Sequence, residues 1–145
     1  METVKDLLAM KSGELCTVAP TATVFEALKL MNTKNIGSVL VINQKKELSG
    51  IFSERDLARS FAKKEIDIKE TPVKNLMTKK VLSVGELCTV DECMAIMTDK
   101  RVRHLPVVAG GKIKGIVSIG DVVKAVIHDQ EIVIDQLAQY ISGSL

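Results

Sequence analysis

The chain has 145 residues with Lys+Arg 20 against Asp+Glu 18, which bounds it as one compact unit without the basic face of a dedicated nucleic-acid binder. Aromatic residues make up 3% and tryptophan is absent, so a base-binding pocket here would grip with aliphatic side chains, which tells against a stacking platform for single-stranded nucleic acid. The odd cysteine set (Cys16, Cys88, Cys93), the lack of a bilayer-length apolar run and an N-terminus, METVKDLLAMK, unlike a secretory signal lead us to expect a cytoplasmic, non-membrane protein.

In chain order, Val4–Met10 reads as a short turn of helix and Cys16–Val18 as a brief extended piece. Thr23 stands as N-cap before Val24, Ala27, Leu28 and Met31, which keep the spacing of a half-buried helix. The apolar run Val39–Ile42 predicts a buried strand, Asn43–Ser49 a turn and Gly50–Phe52 a returning strand, with a second helix beginning after Ser53. Glu65–Pro72 is a polar linker. The order then recurs with a helical turn at Val73–Thr78 and an extended piece at Leu82–Val84. Thr89 caps a helix carrying Val90, Cys93, Met94 and Met97. A strand at Leu105–Val108, a turn over Ala109–Lys114 centred on Gly110-Gly111, a strand at Gly115–Val117 and a helix after Ser118 complete it. Residues 129–143 predict an extra amphipathic helix outside the repeat, with Ile134, Leu137, Ala138 and Ile141 on one face. Gly110-Gly111-Lys112 lacks the upstream glycine and the following Ser/Thr of a phosphate loop and sits in a hairpin.

The pattern is an internal duplication of a β-α-β-β-α unit over residues 4–64 and 73–128. The hexapeptide GELCTV occurs at Gly13–Val18 and Gly85–Val90 but in a register that extends no further. The register that extends pairs Thr23 with Thr89, Glu26 with Glu92, Met31 with Met97 and Val41 with Val107. Gly50, Ile51, Ser53 and Asp56 then fall on Gly115, Ile116, Ser118 and Asp121, and upstream VKDLLAMK (Val4–Lys11) matches VKNLMTKK (Val73–Lys80). Taken singly, GIFSERD or GIVSIGD is a strand end followed by a capping box. Its doubling at corresponding points favours a ligand contact, with which capping is compatible.

These two repeats, with the phrases TVFEALKLM, IGSVLV, SERDLAR and RHLPVV, resemble a tandem pair of CBS domains, the Bateman module. The resemblance implies an α/β (α+β) fold of two pseudo-twofold-related repeats, their sheets packed together and their helices outside, leaving two clefts. It implies a regulatory module that binds adenosine-containing ligands without catalysis and signals cellular energy state. The ligands are AMP, ADP or ATP first, with S-adenosylmethionine or NAD as further members of the class, and no cofactor is obligatory. It also implies pairing into a homodimer and an effector protein. Either the helices after Thr23, Ser53, Thr89 and Ser118 or the segment from Asp129 to Ile141 would form the dimer surface.

By residue, Asp56 and Asp121 suit the two adjacent hydroxyls of a ribose, and Ser53 and Ser118, beside open helix amides, suit a phosphate oxygen. The resemblance adds Thr17 and Ser83, and Ile36, Gly37 and Ser38 with Val102, Arg103 and His104, as cleft walls. Each cleft would join the aspartate turn of one repeat to strands of the other. Asp56 and Arg55 would then share a cleft with Ser83, Val102, Arg103 and His104. Asp121, with Ile119 and Gly120, would face Thr17, Ile36, Gly37 and Ser38. The first gathers two arginines and a histidine and the second none of these, so a charged nucleotide is expected at Asp56. Both aspartates are expected to be exposed and nearly neutral for folding. His104 and His128 show no acid–nucleophile pairing, and the cysteine spacing matches no common zinc motif, so neither a catalytic nor a metal site is expected. The alternative is a dimerisation scaffold of the same fold with no physiological ligand.

Overall fold

The computed structural model describes residues 2–11 and 15–142. Helix α1 (Val4–Met10) opens on a capping box in which the Thr3 amide and hydroxyl both donate to Asp6. Strand β1 (Thr17–Val18) pairs in parallel with β2 (Ser38–Ile42), and β2 pairs antiparallel with β3 (Leu48–Ser53). The crossover between β1 and β2 is α2 (Val24–Lys34). It is capped by the Thr23 hydroxyl, buries Val24, Ala27 and Met31, and ends on Asn35 in the left-handed conformation. Helix α3 (Glu54–Lys63) follows Ser53 directly.

The second half repeats this order with a 3-10 turn (Val73–Asn75), α4 (Val90–Lys100), β4 (His104–Ala109), β5 (Lys112–Ser118) and α5 (Ile119–Ser142). The architecture is therefore mixed α+β, with two small sheets and flanking helices. Strand β5 starts at Lys112 rather than at Gly115 because Gly110 (φ 59°) and Gly111 (φ 75°) close a two-residue turn, so pairing runs to Ala109–Lys112. Likewise β3 starts at Leu48 instead of Gly50.

Two further expectations are corrected. The extended piece expected at Leu82–Val84 is a single parallel bridge between Val84 and Val107. In the first repeat the Leu40 amide donates to the Cys16 carbonyl (3.3 Å), which carries β1 backwards along β2. The corresponding residue in β4 is Pro106, which has no N–H to offer, so the ladder stops at Val84. The segment from Asp129 is also no separate element. It is the distal part of α5, which contains neither glycine nor proline from Asp121 to Ser142 and so has nothing to end it. Gly143, the last residue expected in that segment, lies outside the described residues.

The core is double, and each half is completed by the other. Val4 and Leu7 of α1 pack among Val84, Val90, Cys93, Met97, Leu105, Val107, Val117 and Val122 of the second repeat. Conversely, Val73 packs among Val24, Ala27, Met31, Val39, Val41 and Phe52 of the first. Main-chain bonds fix both exchanges: the Val4 amide donates to Cys88 O (2.8 Å) and the Val73 amide to Ala22 O (2.7 Å). The exchanged segments also explain the motif glycines. A Cβ on Gly50 would lie 2.6 Å from Thr78 O, and one on Gly115 would lie 2.8 Å from a Leu8 methyl.

Candidate functional site

Each Ser-x-x-Asp turn sits where a strand ends and a helix begins, and the exchanged segment of the other repeat runs past it. At the first turn, Asp56 Oδ2 accepts from the Ser53 amide (2.9 Å) and the Ser53 hydroxyl (3.0 Å), while Oδ1 accepts from the Thr78 hydroxyl (2.8 Å). The Asp56 amide in turn donates to Ser53 Oγ (3.3 Å). Thr78 is held in place by a two-way main-chain bridge to Ile51. At the second turn, Asp121 Oδ2 accepts from the Ser118 amide (2.8 Å) and from the Lys11 ammonium (2.9 Å). Lys11 also donates to the Ile116 carbonyl (2.9 Å).

The expectation of two exposed aspartates fails at both: Asp56 is only 8% exposed and the Asp121 side chain is half-buried at 20%. The open amides expected beside the two serines are also largely spent. Glu54 N–H donates to Gly37 O and Ile119 N–H to Arg103 O, and the Asp56 and Asp121 amides go to the serine hydroxyls. Side-chain cations, not helix amides, are therefore what these clefts offer a phosphate.

Two cavities flank the junction of the repeats. The Asp56 cleft encloses about 540 Å³ and brings together Ser53, Arg55, Asp56, Val102, Arg103 and His104. The Asp121 cleft encloses about 450 Å³ and brings together Ile36, Gly37, Ser38, Ser118 and Asp121. Both lie within the 300–1,000 Å³ range of small-molecule sites, near 450 and 540 Å³. Ser83, Thr17 and Gly120 are exposed and do not line either cavity. Cys16 and Leu82, the sequence neighbours of Thr17 and Ser83, line the cavities instead.

Charge is unequal between the two. The Asp56 cleft is lined by Arg55, Arg59, Lys80, Arg101 and Arg103 against Glu54 and Asp56. The Asp121 cleft is lined by Lys11, Lys34 and Lys114 against Asp121. The expected lack of a histidine in the second cleft does not hold, because His104 and Gly37 line both cavities where the repeats meet. Burial, followed by the Lys11 charge, lowers the His104 pKa below the usual imidazole value. Burial alone would raise the Asp121 carboxyl, but the Ser118 amide and the Lys11 ammonium outweigh it and hold the carboxyl below the usual range.

Sequence reasoning missed Lys11, Thr78, Arg59, Lys80 and Arg101. The matched segments VKDLLAMK and VKNLMTKK carried a signal for the first two and for Lys80, since both end at the clefts. Arg101 carried a weaker one. It occupies the place of Asn35 and shares its left-handed conformation (φ 54° at both), which an arginine adopts at a cost of about 1–2 kcal/mol. Elsewhere, Cys93 is buried beside Cys88 (Sγ–Sγ 3.6 Å), and burial pushes its thiol up to about 12. No cluster of metal-ligating side chains occurs among the described residues, and no helix among them is long and apolar enough to cross a membrane.

Comparison with known proteins places this geometry. The family model of the CBS domain matches twice, over residues 4–63 and 73–128. The chain is 34% identical over 149 residues to the CBS domain-containing protein CBSX3, mitochondrial, of Arabidopsis thaliana, covering 97% of this chain and 72% of that one. The crystal structure of the CBS domain protein NE2398 superposes with a TM-score of 0.82 at 42% identity, covering 87% of this chain and 98% of that one. The crystal structure of CBSX2 in complex with AMP superposes with a TM-score of 0.72 at 28% identity, covering 90% of this chain and 99% of that one.

Proposed function

This chain belongs to the CBS-domain family, carrying two copies of the domain, and on that premise we propose that it is a regulatory module binding adenosine nucleotides of the AMP, ADP and ATP class without catalysis. The observation that carries the proposal is the Asp56 cleft. Its carboxylate is held in place by the Ser53 turn, while its outer oxygen is bonded only to a hydroxyl of Thr78, so a ribose hydroxyl can take that place in an even exchange. Around it stand Arg55, Arg59, Lys80, Arg101 and Arg103, the charge a phosphate chain requires. Aliphatic walls, with half-buried Val102 and exposed Leu82 on the Asp56 side, supply the apolar slot for the purine. The AMP complex of CBSX2 supports the same ligand class.

The module would report adenylate balance to an effector protein as a homodimer, the exposed apolar side chains of α5 offering a surface for pairing. Free cysteines and balanced charge suit a cytoplasmic setting. A thermal-shift panel of AMP, ADP, ATP, NAD and S-adenosylmethionine tests the ligand class. At least one should raise the unfolding midpoint by mass action, and Arg103→Ala should weaken that ligand most at low salt. If no ligand shifts the midpoint, and native mass spectrometry shows none already bound, the dimerisation-scaffold reading takes its place.

A further inference from the structure

The two clefts present the same carboxylate in different states, and the difference comes from one position in the exchanged segments. In the repeat register Thr78 corresponds to Ala9, and Lys80 corresponds to Lys11. Asp56 therefore meets a hydroxyl, supplied by Thr78 at 2.8 Å, while Lys80 lines the cavity. Asp121 meets no hydroxyl from Ala9. Lys11 reaches in instead and places its ammonium 2.9 Å from Asp121 Oδ2 and 2.9 Å from the Ile116 carbonyl. We infer that Lys11 is a specificity-determining residue that holds the Asp121 cleft against ribose, so that the Asp56 cleft fills first. The inference rests on the nucleotide-binding reading above and adds to it what makes the clefts unequal.

The physical reason is the exchange each ligand must make. At Asp56 a neutral hydroxyl donor is replaced by another neutral hydroxyl donor, and Thr78 can turn its proton to water at little cost. At Asp121 the Ser118 amide and the Lys11 ammonium both bond Oδ2, so a ribose hydroxyl meets a carboxylate whose charge the ammonium already offsets, a weaker acceptor than that of Asp56. Asp121 Oδ2 accepts both the Ser118 amide at 2.8 Å and Lys11 at 2.9 Å, so ribose is left Oδ1 of a carboxylate it must share with the Lys11 ammonium. Lys11 is 37% exposed and the pair is screened, which limits the effect to about a factor of five in affinity.

Calorimetry with AMP on the wild type, Lys11→Met and Lys11→Arg separates the outcomes, with Asp56→Asn added to each to isolate the second cleft. The expected result is a tight site that Asp56→Asn removes and a weaker site. Lys11→Met should tighten the weaker site up to about fivefold, and Lys11→Arg, which keeps the cation, should leave it weak. Should Lys11→Met leave the second site unchanged or weaken it, Lys11 is not a competitor and the inference is overturned while the ligand class stands. Absence of AMP binding at either site overturns the nucleotide reading and this inference with it. The half-exposed position of Lys11 keeps both variants folded, and Lys11→Gln serves as a second neutral variant if Lys11→Met alters the unfolding midpoint.

Discussion

Removing the Asp56 carboxylate should cost the fold more than removing its repeat counterpart. Asp56→Ala deletes the acceptor for the Ser53 amide and hydroxyl and for the Thr78 hydroxyl, at a residue 8% exposed. Loss of the reciprocal cap costs about 1 kcal/mol, and each polar group left unpaired in a part-buried setting adds about 1 kcal/mol. Ser53 and Thr78 retain some access to water, which brings the total to about 2–3 kcal/mol, or roughly 6–9 °C in midpoint for a chain of this size. Asp121→Ala loses the Ser118 amide bond and an ion pair whose side chains are 37% and 20% exposed. Lys11 keeps its bond to Ile116, so the cost there is about 1 kcal/mol. Urea unfolding of both variants measures the difference. Combining Asp56→Ala with Thr78→Val isolates their pair, which should couple by at least about 0.5 kcal/mol. An Asp56→Ala variant within about 0.5 kcal/mol of wild type, or no costlier than Asp121→Ala, would show that the buried network does not hold the turn.

The motif glycines should respond differently to a methyl group. Gly50→Ala drives its Cβ against the Thr78 carbonyl (2.6 Å) and Met77 Sδ (2.8 Å), where backbone must move, and should cost about 2 kcal/mol. Gly115→Ala meets only the side chain of Leu8, which can turn aside, and should cost less than about 1 kcal/mol by the same denaturation assay; equal losses would contradict the distinction. On α5, Val123, Ile127, Ile134, Leu137 and Ile141 alternate by four and three residues with Gln130 between, a heptad seam whose Ile134 and Ile141 are 63% and 83% exposed. Light scattering should find a dimer that Ile134→Lys dissociates, and a wild type that stays monomeric at micromolar concentration would refute pairing.

Much of the fold was legible because its signals are local or doubled. Thr23, Ser53 and Thr89 cap the helices expected of them, and Gly110-Gly111 forms the expected turn. The two aspartates face separate clefts, each with strand residues of the other repeat. What stayed hidden is long-range. A repeat shows which positions correspond, not which ones touch, so the packing of Val4 on the second core and of Val73 on the first could not be read from it. For the same reason the matched segments that carry Lys11 and Thr78 mark the two residues without showing that they meet Asp121 and Asp56. The shortened first strand of the second repeat, by contrast, was written in the chain as Pro106, one residue whose missing amide ends a ladder that Leu40 continues.

The exchange of leading segments makes the polar stretch between the repeats a poor place to divide the molecule. A cut near residue 65 would leave an amino-terminal piece without the Val73 plug of its core and a carboxyl-terminal piece without Val4 and Leu7. Neither piece could bury its own apolar surface alone, so the two should fold only on being mixed. In the intact chain the bond from Val4 to Cys88 closes a loop more than half its length, which slows folding but ties both halves into one cooperative transition. A ligand held in either cleft should therefore raise the melting point of the whole molecule rather than of the repeat it touches.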